Sequence, residues 1–212
     1  MKLYTFPPAP NPKRLDIFIA EKGIEIEIIT VDLMAGEHRK APYLSINPWG
    51  TVPALVLDDG TLMTEVIGML YYLEELYPEV PLLGSDTVSR AQILSWDHRC
   101  FFEGFSSVAE VLRNSSEAFV DRALPGPISY AQIPDLVERG RKRIHGFYHV
   151  LDKHLEGKPF MVGDTFTVAD IAAYVFVSFS GWVKETIPDD CQYLLAWYQK
   201  VSERPSVKSL AR

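Results

Sequence analysis

The first 80 residues carry short strand and helix patterns in alternation. Residues 3–6 form a strand candidate, and Asn11 followed by Pro12 predicts the N-terminus of a helix, because asparagine is a favoured N-cap and proline fits the first helical turn. Residues 25–28 alternate with period two, which predicts a second strand with one face buried. After an irregular stretch, two strands flank the tight-turn signal at residues 58–60, and a helix follows over 65–76. The predicted order is β-α-β, irregular chain, then β-β-α.

The pattern changes after residue 80. Helical periodicities dominate the rest of the chain, near 88–113, 134–155, 168–182 and 190–203, and residues 114–132 are predicted to form a long loop. We therefore predict an α/β domain over 1–80, a linker over 81–87 and an all-helical domain over 88–212.

Composition narrows the classes of partner. The 212 residues have a formal net charge of −7, which argues against the basic surface that nucleic acid binding needs. No stretch of 18 apolar residues is present, so we expect no membrane span. The N-terminus has no signal-peptide core, and a cytoplasmic protein is expected.

Cysteine and histidine usage gives little sign of redox or metal chemistry. The two cysteines, Cys100 and Cys191, are predicted to be buried apolar groups, and without a C-x-x-C motif a dithiol mechanism is excluded. His145 and His149 have the i, i+4 spacing that could chelate a metal, but no acidic residue accompanies them in a known metal pattern. We expect a shared helix face and no metal.

Three local motifs indicate structure or binding. Pro53 suits the first residue of a strand, since it has no N–H for a central ladder. The helix that opens at Glu65 offers free N–H groups and a positive dipole end, which suit a carboxylate. Thr167 and Asp170 form a capping-box pattern before an apolar run, and this motif predicts a buried helix end.

These features together resemble a cytosolic glutathione S-transferase over essentially the whole chain. The resemblance is carried by the stretches KLYTFPPAPNPKRLDIFIAEKGI, NPWGTVPALVLDDG, TE at 64–65 and FMVGDTFTVADIAAY. It implies a thioredoxin-like N-terminal domain that binds glutathione as co-substrate, and an all-helical C-terminal domain that lines a pocket for a small-molecule electrophile. It also implies a homodimer and a cis peptide bond between Val52 and Pro53.

The resemblance also assigns contacts with glutathione. The Val52 main chain matches the position that pairs with the cysteinyl unit, and Glu65 matches the acidic residue at the γ-glutamyl end. Val66 stands where the family usually has serine, so only its N–H remains for the γ-glutamyl carboxylate; losing one such bond weakens binding by roughly 1.5–3 kcal/mol. His38 and Lys40 lie in the region that supplies a contact to the glycine carboxylate, and both could equally belong to a solvated charge cluster.

The family activates the thiol with a Tyr on the first strand, or with a Ser or Cys at the start of the first helix. Thr5 is in register with the Tyr, and Ala9 stands where the Ser or Cys would be. Tyr4 should point to the opposite face of the strand. Asn11 therefore remains as the candidate catalytic residue: its amide and the helix N-terminus could stabilise a thiolate. The alternative role for Asn11 is to cap the helix.

The resemblance implies an electrophile pocket near Trp96, Arg99 and Phe102, although such aromatic residues could instead form core or dimer contacts. The predicted function is a glutathione S-transferase whose thiolate attacks an electrophilic small molecule. Two alternatives remain open at this point: glutathione-dependent reduction of disulfides or peroxides, and a non-catalytic binding protein, which Ala9 and Val66 favour.

Overall fold

In a computed structural model that describes residues 1–209, the chain forms two compact units. The first unit contains Met1–Val80 with Leu124–Ile128, and the second contains Pro81–Ala123 and the chain from Ser129 onward. Each is described separately below.

The first unit is built on a four-stranded sheet in the order β2-β1-β3-β4. The strands are β1 (Lys2–Thr5), β2 (Glu27–Thr30), β3 (Ala54–Val56) and β4 (Leu62–Met63); β1 and β2 are parallel, whereas β3 is antiparallel to both β1 and β4. The helices are α1 (Pro10–Lys22), the short α2 (Ala41–Leu44) and α3 (Val66–Leu76). This arrangement confirms the predicted β-α-β and β-β-α order of a thioredoxin-like domain.

Two local predictions in this unit are wrong. Helix α1 begins at Pro10 with Ala9 as its N-cap, so Asn11 is the second helical residue and does not cap the helix. Pro10 fits the first helical position as well as Pro12 does, and the earlier proline starts the helix. The buried face predicted for β2 is also absent: the strand starts at Glu27, lies at the sheet edge, and leaves Ile28 50% exposed.

A buried ion pair joins the C-terminal ends of α1 and α3. Lys22 Nζ lies 2.7 Å from Glu74 Oε2, and the two side chains are 1% and 7% exposed. The same ammonium donates to the carbonyl oxygens of Tyr77 (2.7 Å) and Val80 (2.6 Å). All three protons of the buried charge therefore have partners, as a buried charge requires.

The second unit is helical, which confirms the predicted all-helical class. Its helices are α4 (Thr87–Arg99), α5 (Ser106–Ser115), α6 (Leu136–Leu155), α7 (Val168–Ser180), α8 (Gln192–Ser202) and α9 (Pro205–Lys208). A π-helical segment, Cys100–Phe105, joins α4 to α5 and interrupts the single helix predicted over 88–113. Within residues 1–209, no helix combines the length and apolar character needed to cross a membrane.

The predicted capping box holds the buried start of α7 and is confirmed. Asp170 Oδ2 accepts hydrogen bonds from Thr167 N–H and Thr167 Oγ1, both at 3.0 Å. Asp170 Oδ1 accepts from Met161 N–H at 2.9 Å and from Trp197 Nε1 at 3.1 Å. Burial raises the pKa of Asp170 to about 6, although these four bonds favour the carboxylate. One side chain thus links α7, α8 and the preceding loop.

Candidate active site

The sheet register brings the predicted glutathione-contact segments to one end of the first unit. Strand β1 ends at Thr5 beside Thr30, the last residue of the parallel β2. Because β3 is antiparallel to β1, its first residue, Ala54, lies at that same end and pairs with Tyr4. Met63, the last residue of β4, pairs with Leu55, so the chain enters α3 there as well. Four segments therefore start or end at this edge: those containing Ala9 and Asn11, His38 and Lys40, Val52 and Pro53, and Glu65 and Val66.

The first turn of α1 has few main-chain N–H donors. Pro10 and Pro12 have none, and the N–H of Ala9 already bonds to the Phe6 carbonyl oxygen at 2.9 Å. Asn11 lies between the prolines, and within residues 1–209 its main-chain N–H makes no hydrogen bond. Its side-chain Oδ1 accepts a long bond of 3.4 Å from Arg14, which leaves the Nδ2 protons as further donors. Asn11 thus carries the donors of this helix end.

The two hydroxyl residues on β1 face opposite ways, as strand alternation predicts. Thr5 is 1% exposed, and its Oγ1 has no hydrogen-bond partner in the described part of the chain. Tyr4 packs instead against the cluster of Val31, Tyr43 and Ala54, with its ring centroid 6.1 Å from that of Tyr43. Tyr4 therefore lies against this cluster, on the face of β1 opposite to Thr5.

The peptide before Val52 is held by two side chains that the sequence analysis did not identify. The Thr51 carbonyl oxygen accepts hydrogen bonds from Tyr43 Oη at 2.6 Å and from Asn47 Nδ2 at 2.8 Å. Asn47 is fully buried, and its Oδ1 accepts from Trp49 N–H at 3.1 Å. The only sequence sign was a polar residue at the start of a proline- and glycine-containing turn.

Val52 itself keeps its main-chain groups available. The Val52–Pro53 bond is cis, as the resemblance implied. Among the described residues, neither the N–H nor the C=O of Val52 forms a hydrogen bond. A fixed strand entry with one unpaired donor and one unpaired acceptor can pair with the main chain of an extended peptide.

The N-terminus of α3 can receive an anion. Glu65 is the N-cap residue, is exposed, and does not cap the helix with its side chain. Only from Met69 onward do the amides find helical acceptors, the first being the Glu65 carbonyl oxygen at 3.1 Å. The preceding N–H groups and the helix dipole favour a carboxylate. The Val66 side chain is buried, so it adds no polar group to this site.

The His38 segment packs against the turn that leads to Val52. A Cβ atom added to Gly50 would lie 2.9 Å from the His38 carbonyl oxygen, so only glycine, here with a φ of +60°, allows this approach. His38 is half-buried in the 3-10 turn Glu37–Arg39, and Lys40 is exposed at the start of α2. Two cationic or ionisable side chains therefore lie on this side of the sheet edge.

The residues predicted for the electrophile pocket all lie in the second unit but form two groups. Trp96 on α4 packs on His154 with ring centroids 3.9 Å apart, and the Arg99 guanidinium lies 5.4 Å above the Trp96 ring. Phe102, in the π-helical segment, is 59% exposed and lies beneath the Arg143 guanidinium at 5.6 Å. Trp96 and Arg99 are brought together, and Phe102 has different neighbours.

Comparison with known families agrees with this architecture. Residues 9–76 match the family described as "Glutathione S-transferase, N-terminal domain", and residues 138–210 match "Glutathione S-transferase, C-terminal domain". The first match covers the four segments of the sheet edge, and the second covers most of the helical chain.

Individual relatives match nearly the full length. The chain is 32% identical over 216 residues to glutathione S-transferase 2 of Saccharomyces cerevisiae, covering 99% of this chain and 89% of the relative. The crystal structure of Gtt2 from Saccharomyces cerevisiae superposes with a TM-score of 0.89 at 32% identity, covering 99% of this chain and all of that one. The disulfide-bond oxidoreductase YfcG of Escherichia coli K12 is 29% identical over 209 residues, with coverage of 95% and 90%. This chain therefore belongs to the glutathione S-transferase family and is a glutathione transferase that uses glutathione as its co-substrate.

Proposed function

We propose that glutathione lies across the sheet edge of the first unit and that Asn11 stabilises its thiolate for attack on an electrophilic small molecule. The Val52 main chain, entering β3 through Pro53, pairs with the cysteinyl unit. The γ-glutamyl carboxylate binds the α3 N-terminus at Val66, while Glu65 meets the γ-glutamyl ammonium. His38 and Lys40 bind the glycine carboxylate, and Ala9 borders the sulfur without contributing a hydroxyl.

The small number of other hydrogen-bond donors in the first turn of α1 is the observation that supports the catalytic role of Asn11. Its N-cap, Ala9, has no side-chain donor, and two prolines remove two of the N–H groups that a helix normally offers. Since Asn11 does not cap the helix, its side-chain amide is not occupied by that competing role. A main-chain N–H and an Nδ2–H from one residue can therefore point to a single acceptor such as a sulfur anion.

Donors of this kind act by lowering the pKa of the thiol. A free cysteine thiol has a pKa of about 8.5, and each unit of depression corresponds to about 1.36 kcal/mol. On binding, the thiol proton leaves to solvent. The thiolate then forms a C–S bond with the electrophilic carbon as the bond from that carbon to its leaving group breaks; with an aryl chloride, chloride leaves to solvent. Neither step requires a side-chain base, so the hydrogen-bond donors of an asparagine are sufficient to stabilise the thiolate.

Kinetics of the Asn11→Ala variant with an activated aryl chloride test this assignment. We expect kcat/KM at pH 7 to fall about 10- to 100-fold, equivalent to one or two units of thiol pKa, and the loss to shrink at pH 9, where the thiol ionises unaided. Val66→Ser serves as the control, since it should tighten glutathione binding without moving the pH profile. Full activity of Asn11→Ala at pH 7 contradicts the proposal.

Reduction of disulfides is a second candidate reaction of the same site. The similarity to a relative named disulfide-bond oxidoreductase favours it, and a thiolate can attack sulfur as well as carbon. Turnover of hydroxyethyl disulfide, compared with turnover of the aryl chloride, separates the two activities. A protein that bound glutathione but turned over neither compound would fit the non-catalytic alternative.

We also propose the wider organisation of the enzyme. Residues 1–80 act as the glutathione domain, 81–87 as the linker, and 88–212 as the domain whose Trp96, Arg99 and Phe102 meet the electrophile. Exposed Ile67 and Tyr71 on α3 support a homodimer. A cytoplasmic location and a role in detoxification rest on family membership alone.

A further inference from the structure

Three side chains with metal-binding atoms meet in the second unit, within residues 1–209. His149 lies on α6, whereas Asp190 and Cys191 lie immediately before α8. One ligand atom from each lies within 4.8 Å of the other two, and His149 Nδ1 is 3.3 Å from Cys191 Sγ. Tetrahedral zinc with bonds of 2.0–2.3 Å separates its ligand atoms by about 3.5 Å. The imidazole and the sulfur already have nearly this spacing.

We propose that His149, Asp190 and Cys191 form a divalent-cation site selective for zinc. Thiolate and imidazole are the ligand types that favour zinc over magnesium or calcium, and a carboxylate is a third ligand type that zinc accepts. Burial, together with the nearby Asp152 and Asp190 carboxylates, raises the pKa of the Cys191 thiol to about 11, so binding of the cation releases the thiol proton. His149 and Asp190 are exposed, which leaves the fourth coordination position open to water.

The site differs from the histidine pair seen in the sequence. His145 does not join His149, because its Nε2 lies 2.7 Å from Glu185 Oε2. The partners of His149 come instead from a segment about 40 residues later, which helical spacing does not reveal. The expectation of no metal was drawn from the spacing of His145 and His149 alone.

A cation here would connect two elements of the second unit. Cys191 is the N-cap residue of α8, and its carbonyl oxygen accepts the N–H of Leu195 at 3.0 Å. Asp152, one turn beyond His149 on α6, accepts the N–H of Leu194 at 2.9 Å. Bound zinc would therefore add a second tie between α6 and the start of α8.

Titration of the full-length, untagged protein with Co²⁺ tests the proposal, in the absence of glutathione because its thiol also binds metals. We expect one equivalent per chain to bind, with a thiolate-to-cobalt charge-transfer band in the near ultraviolet that Zn²⁺ abolishes. Cys191→Ser should lose this band. Cys100→Ser is the matched control: Cys100 is also a buried thiol outside any disulfide, and this variant should keep the full spectrum.

Two further variants keep the test valid if Cys191→Ser does not fold. His149→Ala and Asp190→Asn change exposed side chains, so both should fold, and each should weaken the apparent Zn²⁺ affinity at least about 10-fold. The proposal is overturned if the native protein gives no charge-transfer band. It is equally overturned if the band survives in Cys191→Ser, disappears in Cys100→Ser, or if Zn²⁺ affinity is unchanged in both His149→Ala and Asp190→Asn.

Discussion

Asn47 is predicted to fix the peptide that presents Val52 to glutathione. Its fully buried amide donates to the Thr51 carbonyl oxygen at 2.8 Å and accepts from Trp49 N–H at 3.1 Å. Asn47→Ala removes both bonds and leaves the Trp49 N–H without its acceptor. A net loss of about 0.5–1.5 kcal/mol for one bond and about 1–3 kcal/mol for the orphaned donor gives a cost of roughly 1.5–4.5 kcal/mol.

Tyr43→Phe is the matched control for this substitution. It removes the 2.6 Å bond to the same Thr51 oxygen but keeps the ring in its cluster and leaves Asn47 in place. We expect it to cost about 1 kcal/mol in unfolding free energy. Glutathione affinity should fall at least about 10-fold in Asn47→Ala, corresponding to 1.4 kcal/mol, and about 3-fold or less in Tyr43→Phe.

Urea unfolding and calorimetric titration with glutathione measure the two quantities separately. An Asn47→Ala protein within 0.5 kcal/mol of the parent would refute the stability argument. A destabilised Asn47→Ala protein that still bound glutathione with the parent's affinity would refute the link between Asn47 and the Val52 strand entry.

Three further predictions concern the folded state. Asp170→Asn keeps the shape of the side chain but turns an NH₂ group toward donors, so chemical denaturation should show a loss of about 3–5 kcal/mol. Trp197→Phe removes one donor and leaves a small cavity at a buried ring, so it should cost less, about 1–3 kcal/mol. Equal losses in the two variants contradict this. Gly140→Ala should destabilise the protein by about 1–3 kcal/mol, because its Cβ would lie 2.7 Å from a Val111 methyl. Gly146→Ala, on the same helix, meets nothing within 4 Å and should stabilise the protein by about 0.5–1 kcal/mol. The reverse order of stabilities refutes the packing argument. Burial raises the pKa of Asp16 to about 7 in the folded state, so folding binds a proton and stability declines as pH rises from about 4 to 7. Asp16→Asn should therefore stabilise the protein at pH 8 by on the order of 2 kcal/mol and have little effect near pH 4, and an equal effect at both values would rule out ionisation as the cause.

Features encoded by nearby residues were predicted well from the sequence. Gly23 ends α1 in the left-handed conformation, with a φ of +64°, and Gly60 lies in the turn between β3 and β4 with a φ of +86°. The capping box at Thr167 depends on residues only three positions apart. Such local turn and capping motifs predict the order of the elements and the α/β and all-helical classes of the two domains.

Features that depend on long-range neighbours were not predictable. The start of α1 was misplaced because Pro10 and Pro12 are equally suited to a first turn, and only the fold selects one. The exposure of β2 follows from its position at the sheet edge, which its own alternating sequence does not encode. The role of Asn47 and the meeting of His149 with Cys191 likewise arise from tertiary structure.

The pH titration of enzyme-bound glutathione, followed by thiolate absorbance in the ultraviolet, tests the central claim most directly. We predict that the bound thiol has a pKa at least about one unit below the free value of about 8.5 and that Asn11→Ala raises it toward that value. A depressed pKa that stays the same in Asn11→Ala would contradict the assignment of Asn11 as the thiolate-stabilising residue.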